Sequence, residues 1–255
     1  MVIRLPNGLI DGCDHFTHAR IDEIRGKQQN YLSNKDLVVG NIGHIPKILE
    51  DLILSLETES GMAWKGNIGE AIYKLSAGDL ETILVKIREN TYGPKYYHEA
   101  KCSHCEAINK DLRLDLDKLE LKIMPLSDIL DSSKRVTILP KAGLEVELKP
   151  LYLKDLFDAV KFADGKHDEL VTSALAMSTK RLGNKTKVTA KDLEDISMSD
   201  IMHLNDFVEK IILEGNIDTN IITECTKCKK EFSYKVNVYD PLFFSPTKVS
   251  KNTST

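Results

Sequence analysis

The stretch Lys101-Cys102-Ser103-His104-Cys105-Glu106-Ala107-Ile108-Asn109 places two cysteines three positions apart, and Glu224-Cys225-Thr226-Lys227-Cys228-Lys229-Lys230 repeats that spacing. A C-x-x-C at the turn of a β-hairpin aims two thiolates at one point, which is half of the tetrahedral donor set that zinc takes. Two pairs complete the set. Cys102, Cys105, Cys225 and Cys228 are therefore expected to hold one structural Zn2+ per chain, with one knuckle from each half of the sequence. The gap between the pairs departs from common ribbons: 119 residues separate Cys105 from Cys225, against about 15–20 in familiar sites. A redox couple and pairs that bind nothing are the alternatives. The redox reading is the weaker one, because a reactive pair normally opens a helix whose dipole lowers the thiol pKa, whereas the flanks here read as strands. A zinc with four protein ligands keeps no open position for water or substrate, so it locks structure together and does not catalyse.

Around the two pairs, the same order of signals appears twice. Leu5-Pro6-Asn7-Gly8-Leu9 opens one series and Leu139-Pro140-Lys141-Ala142-Gly143-Leu144 the other, each a Pro/Gly turn beside a β-prone run. Leu144-Glu145-Val146-Glu147-Leu148 alternates as a half-buried strand does. Apolar stripes then predict a helix over Ile48, Leu49, Leu52, Ile53 and Leu56, and another over Leu170, Val171, Ala174 and Leu175. Capping-box patterns follow in pairs, Asn67 to Glu70 and Ser76 to Asp79 in one series, Thr189 to Asp192 and Ser197 to Asp200 in the other. The second box of each pair opens a longer helix, with Leu80, Ile83, Leu84 and Ile87 or with Ile201, Leu204, Val208 and Ile211, stopped by Gly93-Pro94 or Gly215. A β-like run, the C-x-x-C and an alternating strand come last: Leu112, Leu114, Leu116 and Phe232, Tyr234, Val236, Val238. From Ser76 to Cys102 is 26 residues and from Ser197 to Cys225 is 28.

This order predicts an α+β fold made of an internally duplicated unit, its two halves sharing one four-cysteine zinc site. The expected boundaries are 1–125 for the first repeat, 126–245 for the second and 246–255 for a flexible polar tail, with residues 118–135 as the connection.

The 255 residues carry 42% hydrophobic and 29% charged side chains with a net charge of -4, a globular composition with no field that would draw the chain to nucleic acid or an anionic membrane. The first residues, MVIRLPNGLIDG, contain no apolar run of signal-peptide length, and no segment reaches membrane-spanning length, so an intracellular, reducing setting is expected, where paired cysteines favour metal over disulfides. Cys13 reads as a small apolar residue at a packed site. His98 and His104, beside and inside the first knuckle, could act as substitute ligands or as donors behind the cysteines, but four cysteines already complete the site and both read as solvated surface groups. Asp11, Asp14, His15 and His18 form an acid and histidine cluster that could bind a metal, but its ordinary explanation is a polar loop, and H-x-x-H is a poor ligand spacing on a helix. Lys227, Lys229, Lys230 and Lys235 surround the second knuckle, but Glu224 and Glu231 interleave with them, as on a solvated face. No phosphate-binding loop, dinucleotide fingerprint, nucleophile elbow or H-E-x-x-H is present, so no residue is nominated as catalytic and no small-molecule substrate is expected. Trp64 reads as a packing anchor.

With LPNGL at the start, KIRENTYGPKYY running into CSHCEAIN, LPKAGLEVELKPL in the middle and CTKC near the end, the sequence resembles the baseplate hub-assembly proteins of T4-like contractile-tailed bacteriophages over nearly its whole length. The match is sharpest from Lys86 to Gly93. The resemblance implies a non-enzymatic protein of tail assembly, binding other hub and tail proteins in the cytoplasm of the infected bacterium, and it leaves open whether the protein stays in the virion tail baseplate. Only Cys102, Cys105, Cys225 and Cys228 carry over as residues, as metal ligands; the surface that meets partners is not identified, and the segment Arg88 to Gly93 fits either a capped helix end or a binding surface. A zinc-ribbon nucleic-acid-binding or regulatory protein is the competing expectation, resting on Lys227 to Lys230.

Overall fold

The computed structural model describes residues 1–33, 43–163 and 167–246. The first elements are two antiparallel strands, β1 (Val2–Asp11) and β2 (Asp14–Ile21). Their register shifts between Arg4 and Leu9, where Pro6-Asn7-Gly8 bulges out of the ladder. Gly8 stands at φ +72, and a Cβ there would lie 2.6 Å from the Phe16 carbonyl, so only glycine fits the bulge. Helices α1 (Gly26–Ser33) and α2 (Ile45–Leu52) follow, and β3 (Ile53–Glu57) returns to pair with β2 in the sheet order β1-β2-β3. The expected helix through Ile53 and Leu56 therefore stops at Leu52: both residues are buried, but in a strand. Four-residue spacing cannot tell a helix face from a helix followed at once by a strand.

The short helix α3 (Ile68–Ala71) is capped by Asn67, which accepts from the Gly69 amide and so does not form the expected reciprocal box. In α4 (Ala77–Tyr92) the box is complete: the Ser76 hydroxyl accepts from the Asp79 amide, and Asp79 accepts from Ser76. Leu80, Ile83, Leu84, Val85 and Ile87 are all buried. This helix is the centre of the larger core. Gly93, at φ +81, ends it, and β4 (Lys95–Lys101) and β5 (Ile108–Asp115) form the first cysteine hairpin.

The connection is more ordered than a linker: Leu121 bridges to Ile217, and α5 (Leu126–Leu130) precedes β6 (Val136–Ile138) and β7 (Glu145–Leu148). Helices α6 (Leu153–Ala163) and α7 (His167–Ser178) lead to β8 (Thr179–Leu182), giving a second sheet in the order β6-β7-β8. Of the stripe expected on α7, Leu175 is buried but Val171 is 52% exposed, and Ser173 and Ala176 take the inner positions; the side chain of Leu170 lies outside the described residues. Then come α8 (Ala190–Glu194), with its complete Thr189/Asp192 box, α9 (Met198–Glu214), and the second cysteine hairpin, β9 (Asn220–Glu224) with β10 (Glu231–Lys235).

A smaller core gathers Leu139, Val146, Leu148, Leu175, Leu193 and Leu204 between the second sheet and its helices. The larger core is completed from far away. Val236, Val238, Phe243 and Phe244 pack into it beside Leu5, Leu49, Leu84 and Ile87, so the segment after β10 straps across the amino-terminal half. Its single turn Pro241–Phe244 sits over Arg88, whose Nε donates to the Phe243 carbonyl at 3.0 Å. The two halves also meet at Gly78 and Gly215, where a Cβ on Gly78 would lie 1.8 Å from the Gly215 carbonyl oxygen. Beside that contact lies a cavity of about 640 Å³, lined among others by Asn7, Tyr73, Arg135, Tyr152 and Asp155. Four of the charges on its wall form two ion pairs, Lys149 with Asp155 at 2.6 Å and Lys134 with Asp128 at 2.7 Å. Residues 247–255 of the expected flexible tail lie outside the described residues.

Candidate metal centre

Each C-x-x-C occupies a hairpin turn, Cys102 and Cys105 between β4 and β5, Cys225 and Cys228 between β9 and β10. The turns are built alike. The Cys102 amide donates to the Ala107 carbonyl and the Glu106 amide to the Cys102 carbonyl, while the Cys225 amide donates to Lys230 and the Lys229 amide to Cys225. Glu106 and Lys229, each just after the second cysteine, stand at φ 58 and 60. That left-handed residue turns the chain back so that both sulfurs of a knuckle face inward.

The four Sγ atoms lie within 4.8 Å of one another. Across the knuckles, Cys102 and Cys228 are 3.8 Å apart and Cys105 and Cys225 3.7 Å. Thiolates on a zinc at about 2.3 Å span a tetrahedral edge of about 3.8 Å, so the donor set fits that ion in chemistry and in size. All four are free thiols, Cys102 and Cys225 buried, Cys105 and Cys228 half-buried. The Cys228 amide, with those of Lys227 and the Asn109 side chain, holds the Cys225 thiol down to about 6. For Cys105 the Ala107 backbone pulls the same way, but desolvation and the three facing sulfurs outweigh it and push the thiol up to about 11. Four thiolates in one cluster repel each other, and a cation between them removes that conflict.

The two hairpins belong to separate two-stranded ladders and meet through a small cluster of Ala100, Cys102, Cys225 and Phe232. Neither histidine turns toward the sulfurs. His104 does lie exposed, its Nε2 2.9 Å from the Glu231 carbonyl. His98 departs from the expectation of a solvated group: its ring stacks on Tyr96, its Nε2 meets the Tyr234 hydroxyl at 2.7 Å, and burial lowers its pKa. Asn109 and Thr226, which bridge the knuckles, were not singled out by sequence reasoning. The signal was present, an amide side chain on a strand four residues past Cys105, but strands carry such residues on solvated faces too.

The remaining candidates disperse. Among the described residues the four cysteines form the one cluster able to hold a metal. Asp11 accepts from the Trp64 indole at 3.1 Å, His15 contacts the Asn7 carbonyl at 2.6 Å, and His18 lies 3.0 Å from the Thr17 hydroxyl. Trp64 packs against the larger core, as an anchor would. Cys13 is exposed, contrary to the packed site expected, because it falls in the tight turn between β1 and β2. Around the second knuckle Lys229 pairs with Glu224 at 3.9 Å, and Lys235 reaches Glu81 at 3.2 Å.

Arg88, in the Lys86 to Gly93 stretch, is fully buried, with its guanidinium over the rings of Tyr92 and Tyr96 at 4.6 and 5.4 Å. It is a packing hub under the strap and presents no surface to a partner. No helix is long and apolar enough to cross a membrane among the described residues. Neither a curated protein nor a solved structure matches the chain. A family profile described as T4 bacteriophage base plate protein matches residues 41–245, a span that takes in both knuckles, α4 and the strap over Arg88, and the chain therefore belongs to that family of phage base plate proteins.

Proposed function

We propose that the protein is a non-enzymatic structural or assembly component of the tail baseplate hub, that it works by binding other tail proteins in the infected cell, and that a single structural zinc clasps two copies of one ancestral unit. The observation that carries the reading is the convergence of four sulfurs, drawn from two hairpins more than 100 residues apart in the sequence, within 4.8 Å. Membership of the base plate family supports a role in the tail. A closed zinc site of four cysteines supplies a cross-link and no reactive position.

Support for two copies comes from details that packing alone does not require. The first sheet runs β1-β2-β3 and the second β6-β7-β8, each followed by a capped long helix and a cysteine hairpin. In the first half the amides of Asn7 and Gly8, the two residues after Pro6, donate to Asp79 at 2.8 and 3.0 Å. In the second the amides of Lys141 and Ala142, the two residues after Pro140, donate to Asp200 at 2.8 and 3.0 Å. Each aspartate is the third residue of its helix and belongs to the Ser-x-x-Asp box that opens it.

Metal analysis of the purified chain tests the clasp: one zinc per chain is expected, lost on Cys102→Ser and equally on Cys225→Ser. Two zincs, or zinc that survives loss of one knuckle, would refute the shared site. For the assembly role, tagged protein recovered from infected cells is expected to carry other tail proteins; recovery of nucleic acid instead, with retention that falls steeply as salt rises, would favour the zinc-ribbon alternative.

A further inference from the structure

Asn109 is fully buried at the seam between the two cysteine hairpins. Its Oδ1 accepts from both the backbone amide and the hydroxyl of Thr226, each at 2.8 Å, while its Nδ2 donates to the Ala107 carbonyl at 3.3 Å and to Cys225 Sγ at 3.6 Å. The orientation is dictated by chemistry. A backbone N–H only donates, so the carbonyl oxygen of the amide must face Thr226 and the NH2 group is left for the sulfur. A residue of the first hairpin thus grips the second knuckle twice, at the residue after Cys225 and at the Cys225 sulfur itself.

The grip is one-sided. Four residues past its second cysteine the first hairpin has Asn109, and the second hairpin has Phe232 at the matching place, which offers no amide. Cys102 takes its donor, the His104 amide at 3.4 Å, from its own knuckle. Two further polar bonds across the seam, His98 to Tyr234 at 2.7 Å and His104 to the Glu231 carbonyl at 2.9 Å, join the hairpin flanks without touching a sulfur. Groups that hydrogen-bond a metal ligand fix its direction and tune its donor strength.

We infer that Asn109 is a positioning residue of the metal centre, registering the second knuckle against the first and holding Cys225 Sγ toward the cation. This inference rests on the reading of the four cysteines as a zinc site. The test uses the full chain, with zinc affinity measured by competition against a chromophoric chelator and the thiolate-to-metal charge-transfer band recorded on cobalt(II)-substituted protein. Asn109→Ala is expected to weaken zinc binding by about 10–100-fold and to shift the cobalt band. Asn109→Asp is nearly isosteric and keeps the acceptor for Thr226, but it removes the donor and sets a carboxylate beside the sulfur, so it is expected to weaken binding at least as much. Tyr234→Phe, which deletes a docking bond away from the sulfurs, is expected to leave affinity and band unchanged. Asn109→Asp that matches wild type would overturn the inference, as would a Tyr234→Phe cost equal to that of Asn109→Ala. Wild-type chain that takes up no metal would overturn the zinc reading itself, an outcome separable from the first two because those require a wild-type affinity.

Discussion

Replacing Phe243 with alanine measures how far the strap after β10 is part of the amino-terminal core. Phe243 has no exposed surface, meets the edges of Tyr96 and Phe244 with ring centroids at 5.0 and 5.2 Å, and holds Arg88 through its carbonyl. Truncating a buried phenylalanine to alanine costs about 3–5 kcal/mol, and the two edge-to-face partners place this site in the upper half of that range. A chain of this length loses about 2 °C of Tm per kcal/mol, so thermal unfolding followed by circular dichroism should show a fall of about 8–10 °C. Leu242, the preceding residue on the same turn, is 71% exposed, and Leu242→Ala should stay within about 0.5 kcal/mol of wild type. A Phe243→Ala cost below about 1 kcal/mol, or equal to that of Leu242→Ala, would refute the strap as a core element.

Two further outcomes are expected. Helix propensity alone would make Gly78→Ala stabilising by about 1 kcal/mol, but the added Cβ would stand 1.8 Å from the backbone oxygen of Gly215, so urea unfolding should show a loss of about 3 kcal/mol or more, and any gain in stability would contradict the close contact of the halves. Burial holds the His44 imidazole down to about 4, against a weaker upward pull from Asp240. Between about pH 6.5 and 4 the unfolded chain therefore binds a proton that the folded chain does not, and stability is lost as pH falls through that window. The urea midpoint of His44→Leu should fall less between pH 7 and 5 than that of wild type, and identical slopes would refute the assignment.

What was legible in the sequence was local chemistry at fixed spacing. The cysteine pairs, the boxes at Ser76 and Thr189, the hydroxyl cap at Ser197 and the glycine stop at Gly93 each depend on residues within a turn of one another, and each is where the pattern put it. The second role of Asp79 was not legible, because the amides of Asn7 and Gly8 reach it from more than 70 positions away. Arg88 shows the same limit: a charged residue in a helix is ordinarily solvated, and only the arrival of Phe243, 155 residues downstream, buries it. Asn109 looked like a polar residue on a strand, and its importance comes from Thr226 on the other hairpin. The helix carried too far, through Ile53 and Leu56, failed for another reason: both residues are buried as expected, but β2 offers an edge to pair with, and strand geometry buries them equally well.

The sequence distance between Arg88 and the strap gives the clasp a topological effect separate from any contact it makes. By chain alone, bringing Phe243 back to Arg88 closes a loop of 155 residues. With a metal joining the knuckles, the shortest path runs from Arg88 to Cys102, across the ion, and from Cys228 to Phe243. A loop of about 30 residues costs about 1.5 kcal/mol less to close than the full one, on the (3/2)RT ln n scaling. A metal would thus favour docking of a segment it never touches, by shortening the route that segment must take home.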